Sequence, residues 1–324
     1  MRYGNQTTLR SWAVLDGFGV HSNSPVKLTL SPSEAGSGIT FLRTGLEGGH
    51  ERLIAANWGQ VSATQLCTAL GDGAAGGVQT VEHLMAAISG LGIDNVQVEI
   101  DGPEVPIMDG SAHDFVEAID SVGIETLDAP RRYLKILKTV RVSHGDAYSE
   151  LRPATRGFKL DVEIDFSEAI IGRQRYRLDL EPGRFRKEIS RARTFGFVSD
   201  VKRLWQAGFA LGSSLENSVA LEDGRILNPE GLRYADEFAR HKTLDAVGDL
   251  ALAGAPIIGA YSSYRGGHRM NFAVLEALFA DPDAYAYVQD SSRTQENARR
   301  DSLNAFGQAD VGLAGIPAFS PKMK

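Results

Sequence analysis

Apolar and polar positions alternate strictly at Phe158, Leu160, Val162, Ile164 and Phe166, the two-residue period of a strand with one buried face. The same period recurs at Val26, Leu28 and Leu30, over 95–100, and at Tyr176, Leu178 and Leu180 after Gly172. Residues 12–15 read as a strand entering a turn at Asp16-Gly17-Phe18-Gly19, and 257–261 as a short apolar strand. Elsewhere the period lengthens to that of a helix. Leu84, Ala87, Ile88 and Leu91 mark a buried stripe, with Thr80 as the expected N-cap and Gly90 and Gly92 as stop signals. Ser111 and Asp114 read as a capping pair before a helix through Phe115, Ala118 and Ile119. Ser199 opens a helix carrying Val201, Leu204 and Trp205. Leu244, Val247, Leu250 and Leu252 define a long helix that closes at Gly254-Ala255-Pro256, and a glycine-hinged loop at 266–271 precedes a final helix over 272–280.

Strands followed by helices, twice over, predict an α+β protein of two units: residues 1–127 and 128–289, with 127–131 as the boundary. Beyond about residue 288 the chain turns polar, and 290–324 is expected to be a flexible tail. The glycine-rich stretch 71–77 lacks the lysine and hydroxyl of a phosphate-binding loop and reads as a flexible connection. Gly48-Gly49-His50 reads as a loop tip, with His50 an ordinary surface histidine.

Composition narrows the class. The chain has 324 residues, 43% hydrophobic and 23% charged, which excludes wholesale disorder. No apolar run approaches the roughly 20 residues needed to span a bilayer, so no transmembrane segment is expected. The first residues lack the apolar core of a signal peptide, and Cys67, the lone cysteine, fits a reducing compartment; a cytoplasmic protein is expected. A net charge of −7 argues against nucleic acid as a partner.

Chemistry concentrates at R-H-K-T-L-D-A-V-G-D, residues 240–249. Helical spacing places His241, Asp245 and Asp249 on one stripe, where an imidazole and a carboxylate can share a divalent ion, and Lys242 flanks the stripe. The bland alternative is a solvated polar face. A second histidine, His83, follows Glu82 at the start of the 80–90 segment, and helical geometry points these neighbours about 100° apart. His83 can therefore bind a metal while Glu82 contacts its water. Two histidines and Asp245 leave a fourth position for water, the composition of a catalytic zinc site rather than a closed structural one. Glu82 suits a general base, His268 beside two glycines a general acid, Asp249 a partner that keeps His268 protonated, and Thr194 a donor to a developing oxyanion.

The segments T-V-E-H-L-M-A-A-I-S-G-L-G-I-D-N (80–95), I-M-D-G-S-A (107–112), S-R-A-R-T-F-G-F (190–197), N-P-E-G-L-R-Y-A-D-E-F-A-R-H-K-T-L-D-A-V-G-D-L (228–250) and G-G-H-R-M-N (266–271) closely resemble the UDP-3-O-acyl-N-acetylglucosamine deacetylases, zinc amidases of lipid A biosynthesis. The resemblance runs from about Thr8 to about Val288. It implies two similar domains, each a sheet layered against helices, with the metal between them. His83, His241 and Asp245 would bind Zn²⁺, or Fe²⁺ through the same ligands. It further implies Glu82 as base, His268 as acid or electrostatic partner, Thr194 on the oxyanion side, and Asp249 as partner of His268. Phe195 would contact substrate and Lys242 would meet its phosphate. The substrate would be a UDP-linked acylated sugar, the enzyme a monomer. An apolar passage for the acyl chain is expected near 158–176, with Ile164, Ile170 and Ile171 as lining. Cys67 matches a residue near the family's active site; a low-pKa reactive thiol is not implied, and buried packing is at least as good a reading. Departures from the family pattern fall at Asn23, at Ser167-Glu168-Ala169 and at His113-Asp114, none in the proposed metal or acid–base set. A zinc hydrolase of another amide, or a silent zinc-stabilised binding protein, are the rival classes.

Overall fold

A computed structural model describes residues 4–73 and 76–289; Ala74, Ala75 and the stretch 290–324, expected above to be a flexible tail, lie outside the described residues. Strands from the first part of the chain form a five-stranded sheet in the order Ala13–Phe18, Pro25–Pro32, Val96–Ile100, Ile39–Arg43 and Arg52–Ala55. Strands after residue 132 form a seven-stranded sheet around Ile257–Tyr264. That strand pairs antiparallel with Ala147–Arg152 and parallel with Tyr133–Ile136 on one side, and parallel with Phe158–Asp165 on the other. The architecture is α+β, as expected. Within the boundary expected at 127–131, Ile124–Pro130 is itself a strand, paired antiparallel with Asn5–Leu9, so the crossing is pinned rather than loose.

Among the described residues six α-helices follow in chain order: α1 (Glu82–Leu91), α2 (His113–Val122), α3 (Pro182–Arg184), α4 (Val198–Gln206), α5 (Glu237–Ala251) and α6 (His268–Ala280). Helices α1 and α5 pack against each other at the centre of the molecule. Nine of the ten residues of α1 are buried, and α5 buries Phe238, Leu244, Val247 and Leu250 together with its polar stripe. Such all-round burial is the pattern of a core helix, not of a solvated face. The two helices approach so closely that a Cβ on Gly248 would lie 1.9 Å from the backbone oxygen of Glu82. Glycine at 248 is therefore what lets the chemistry-bearing stripes of α1 and α5 face each other. Gly248→Ala is expected to lower stability by about 1–3 kcal/mol and to weaken metal retention, read by thermal unfolding and metal analysis.

Several local expectations differ in detail. Thr80 does not cap α1: it sits in the left-handed region at φ 56° and its hydroxyl goes to Glu104. The strand at 13–18 runs through the expected Asp16-Gly17-Phe18 turn, which begins instead at Gly19. Ser111 accepts from the His113 backbone N–H, but it does not cap α2, whose N-cap is Ala112 with no side-chain cap bond, and Asp109 rather than Asp114 is the carboxylate that accepts from Ser111. The last helix starts at His268, four residues before the apolar stripe announces it. Among the described residues no helix is long and apolar enough to cross a membrane.

Candidate active site and metal centre

Residues from α1, α5 and α6 converge on one buried cluster. The ligand atoms of His83, His241 and Asp245 all lie within 4.8 Å of one another. Nε2 of His83 and of His241 stand 3.6 and 3.3 Å from Oδ1 of Asp245, and the imidazole rings meet edge to face at 5.0 Å. His241 is oriented from behind: its Nδ1 bonds the Ala192 carbonyl at 3.0 Å, leaving Nε2 to face the cluster. Lys242 donates to Oδ2 of Asp245 at 2.8 Å. Oδ1 of Asp245 is buried and has no hydrogen-bond donor. An orphaned carboxylate oxygen is costly unless something supplies positive charge. Two imidazole nitrogens converging on that oxygen, with no proton needed on either, fit a divalent cation as the missing partner.

Electrostatics point the same way. Burial pushes His241 down to about 3, so it presents a neutral imidazole. Burial works against the Asp245 charge, but His241 and Lys242 overcome it and hold the carboxyl well below its usual range. Burial likewise opposes the Lys242 charge, and Asp245 outweighs it. A neutral histidine and an ionised carboxylate are the protonation states a metal ligand needs.

Beside this triad stand a candidate base and a candidate acid. Oε1 of Glu82 lies 3.8 Å from Nε2 of His268, whose Nδ1 bonds Oδ2 of Asp249 at 2.9 Å. Thr68 braces both carboxylates: its backbone N–H donates to Glu82 at 3.0 Å and its hydroxyl to Asp249 at 2.7 Å. Asn271 adds a third donor to Asp249. Burial raises the Glu82 pKa, with His268 and His83 pulling it back. Burial also opposes charge on His268, yet Asp249 and then Glu82 prevail and push it up to about 10. One carboxyl is thus poised upward and its histidine neighbour is kept protonated, a division of labour expected of an acid–base pair.

The remaining residues singled out in the sequence lie on the segment that carries the Ala192 carbonyl. Thr194 donates its backbone N–H to Gly110 and sits between Ala192 and Phe195. The Phe195 ring lies 6.3 Å from the His241 ring, and the Lys242 ammonium stands 6.0 Å from its centroid. Phe195 also meets Phe166 and Phe238. Arg193, which is 1% exposed, bonds Glu237 of α5 and so clamps the 190–195 segment onto the helix that bears His241.

Residues 158–176 form most of a hairpin of the second sheet. Ile164 and Ile171 are fully packed in the core, whereas Phe166 reaches the Phe195 ring at 5.7 Å and Ile170 is half-buried. The open apolar surface near the site lies on the next excursion. There Phe195–Phe197, Val219–Glu222 and Arg225–Ile226 form a small sheet, and Phe209, Leu211 and Leu215 are exposed. Cys67 is buried, and burial with the nearby Glu82 pushes its thiol up to about 12, which makes it packing rather than a nucleophile. His50 is exposed; His21 is half-buried against Phe209. Asn23, where the family often has glycine, adopts φ 51°, a left-handed conformation that asparagine tolerates. A cavity of about 470 Å³ bordered by Gly92, Asp94, Arg131, Leu250 and Pro256 lies at the C-terminal ends of α1 and α5 and holds none of these groups.

The sequence patterns had signalled seven of the clustered side chains: Glu82, His83, His241, Lys242, Asp245, Asp249 and His268. They had not signalled Thr68, Asn271, the Ala192 carbonyl or Glu104. Each of these acts through a partner distant in the chain, which local periodicity does not register.

An α+β core that closes a His-His-Asp cluster beside a carboxyl–imidazole pair defines a metal-dependent hydrolase. A family model described as UDP-3-O-acyl N-acetylglycosamine deacetylase matches residues 6–280. UDP-3-O-acyl-N-acetylglucosamine deacetylases of Brucella ovis and Brucella canis are each 53% identical over 285 residues, covering 88% of this chain and 98% of theirs. That of Brucella melitensis is 52% identical over the same shares. The chain belongs to the UDP-3-O-acyl N-acetylglycosamine deacetylase family.

Proposed function

We propose that this protein removes the acetyl group from UDP-3-O-acyl-N-acetylglucosamine, giving acetate and the free amine in lipid A biosynthesis, with zinc as the resident ion. One observation carries the reading: the donor-less Oδ1 of Asp245 stands among His83 and His241, directly beside the Glu82–His268 pair. His83, His241 and Asp245 would hold the ion, which Fe²⁺ can also be with such donors. The ion supplies Lewis acidity that acidifies water and polarises the amide carbonyl.

The chain supplies the rest. Glu82 takes a proton from the attacking water. As the C–N bond breaks, His268 gives a proton to the departing nitrogen, held in its charged form by Asp249. Thr194 donates to the developing oxyanion. Lys242 meets the diphosphate, and Phe195 packs on the substrate. The acyl chain runs from the Phe166–Phe195 contact over the open apolar surface of Phe209, Leu211 and Leu215. The chain divides into units 1–127 and 128–289, with the reaction between them. A cytoplasmic, monomeric enzyme completes the proposal.

The test pairs metal analysis with acetate release. One equivalent of metal per chain is expected, with acetate release lost on chelation and restored by zinc. The rate should fall sharply with substrate lacking the acyl chain or the nucleotide. A metal-loaded protein that releases no acetate from the full substrate would overturn the reading.

A further inference from the structure

Glu104, on a proline-flanked loop, is 1% exposed, and among the described residues no lysine or arginine pairs with it. Its charge is met by neutral donors from two distant parts of the chain. One arm is the turn after Gly19: the backbone N–H groups of His21 and Ser22 donate at 3.0 Å each, and the Ser22 hydroxyl at 2.9 Å. Successive N–H groups closing on an anion form a nest. A Cβ on Gly19 would fall 2.2 Å from Oε2 of Glu104, so the turn is built around this carboxylate. The other arm is the Thr80 hydroxyl, which donates at 2.9 Å two residues before Glu82. The turn is in turn seated on the apolar excursion. The Ala210 N–H donates to Nδ1 of His21, the Leu211 N–H to the His21 carbonyl and the Gly212 N–H to the Val20 carbonyl. Phe209 meets the His21 ring edge to face.

We propose that Glu104 is a positioning residue for acyl-chain recognition: its carboxylate locks the 19–22 turn, and through it the Phe209–Leu211 surface, in register with the head of α1. This rests on the reading that the surface takes the acyl chain. Glu104 touches no reacting atom. It fixes the distance between the place where the chain is gripped and the place where the amide is cut, which is what lets remote binding reach the transition state. Losing the carboxylate should release the turn arm and let the apolar surface drift.

The experiment measures kcat/KM for the acylated substrate and for its analogue lacking the acyl chain, in Glu104→Ala, Glu104→Gln, Ser22→Ala and Thr80→Val. In Glu104→Ala the preference for the acylated substrate is expected to fall about tenfold or more, the loss typical of hydrogen bonds to a charged group, with metal content unchanged. Glu104→Gln, which keeps one acceptor for the Ser22 donors, should recover part of it. Ser22→Ala cuts the turn arm and should lower the preference. Thr80→Val cuts only the helix arm and should lower it less. A second reading needs no substrate. The chain has 3 tryptophans, so with Trp12→Phe and Trp58→Phe only Trp205 reports; its indole N–H bonds the Ala210 carbonyl at 2.6 Å. Glu104→Ala should shift its emission to the red and raise its access to a neutral quencher. Unchanged preference in both Glu104→Ala and Ser22→Ala, or an equal fall in Thr80→Val and Ser22→Ala, overturns the proposal. So does a Trp205 signal indifferent to Glu104. Failure of the parent protein to release acetate would instead strike the functional reading, leaving the Trp205 result to judge the turn.

Discussion

Glu82→Gln is expected to reduce kcat by about 10²–10⁴-fold while the protein keeps its metal. The carboxyl lies in the first turn of α1, beside His83, and Thr68 N–H fixes one oxygen while the other faces His268. Glutamine preserves the shape and the bond to Thr68 but has no basic lone pair of comparable strength. Burial raises the Glu82 pKa, so its conjugate base is stronger than an exposed glutamate, as a proton acceptor needs. His83, His241 and Asp245 are untouched by the change, so metal stoichiometry should remain that of the parent. KM should move little, because Glu82 is asked to act only as bonds change. Single-turnover acetate release with parallel metal analysis decides. A kcat within threefold of the parent in a fully loaded variant would remove Glu82 from the role of base.

Part of this site was legible because helices turn sequence spacing into spatial neighbours. His241 and Asp245, four apart, had to share a face of α5, and so they do. Spacing alone left open whether that face is solvated or buried; its burial depends on α1 packing across Gly248. The strict alternation at 158–166 likewise specified a strand, but not that it would run parallel to Ile257–Tyr264, nearly a hundred residues later. Sheet order and register arise from pairing between remote segments, and each segment records only its own half.

The errors share that cause. Thr80 has the hydroxyl of a helix cap, yet Glu104 offers it a stronger, charged acceptor, and Thr80 enters the left-handed region to reach it. The 268–271 segment looks like a loop because glycines precede it, while the first turn of α6 is held by His268 and Asn271 bonding to Asp249. The strand at 158–166 carries the most regular apolar alternation in the chain. Regular alternation marks residues destined for the core, as Ile164 and Ile171 are, whereas a binding surface must leave its apolar groups open.

The Asp249–His268 pair yields the second large effect. His268→Ala should lower kcat by about 10²–10⁴-fold through loss of the proton donor to the leaving nitrogen. Asp249→Asn is the more informative change. With an ordinary value of 6.5 pushed up to about 10, His268 carries its proton throughout the neutral range, and donation should fail only as pH rises through about 10. The same shift stabilises the fold: the contribution is complete below 6.5, where the unfolded chain is protonated too, and disappears as pH climbs through the folded value. Removing the Asp249 charge takes away the strongest upward influence on His268, so the basic limb of the kcat profile should move to lower pH. Asp249 also raises Glu82, though as a lesser influence than His268, so the acid limb should move down as well, by less. The profile would therefore narrow from its alkaline side. Thr68 and Asn271 can still bond an asparagine at 249, which preserves the geometry and makes charge the quantity tested. A basic limb left where it was in Asp249→Asn would show that His268 does not set it.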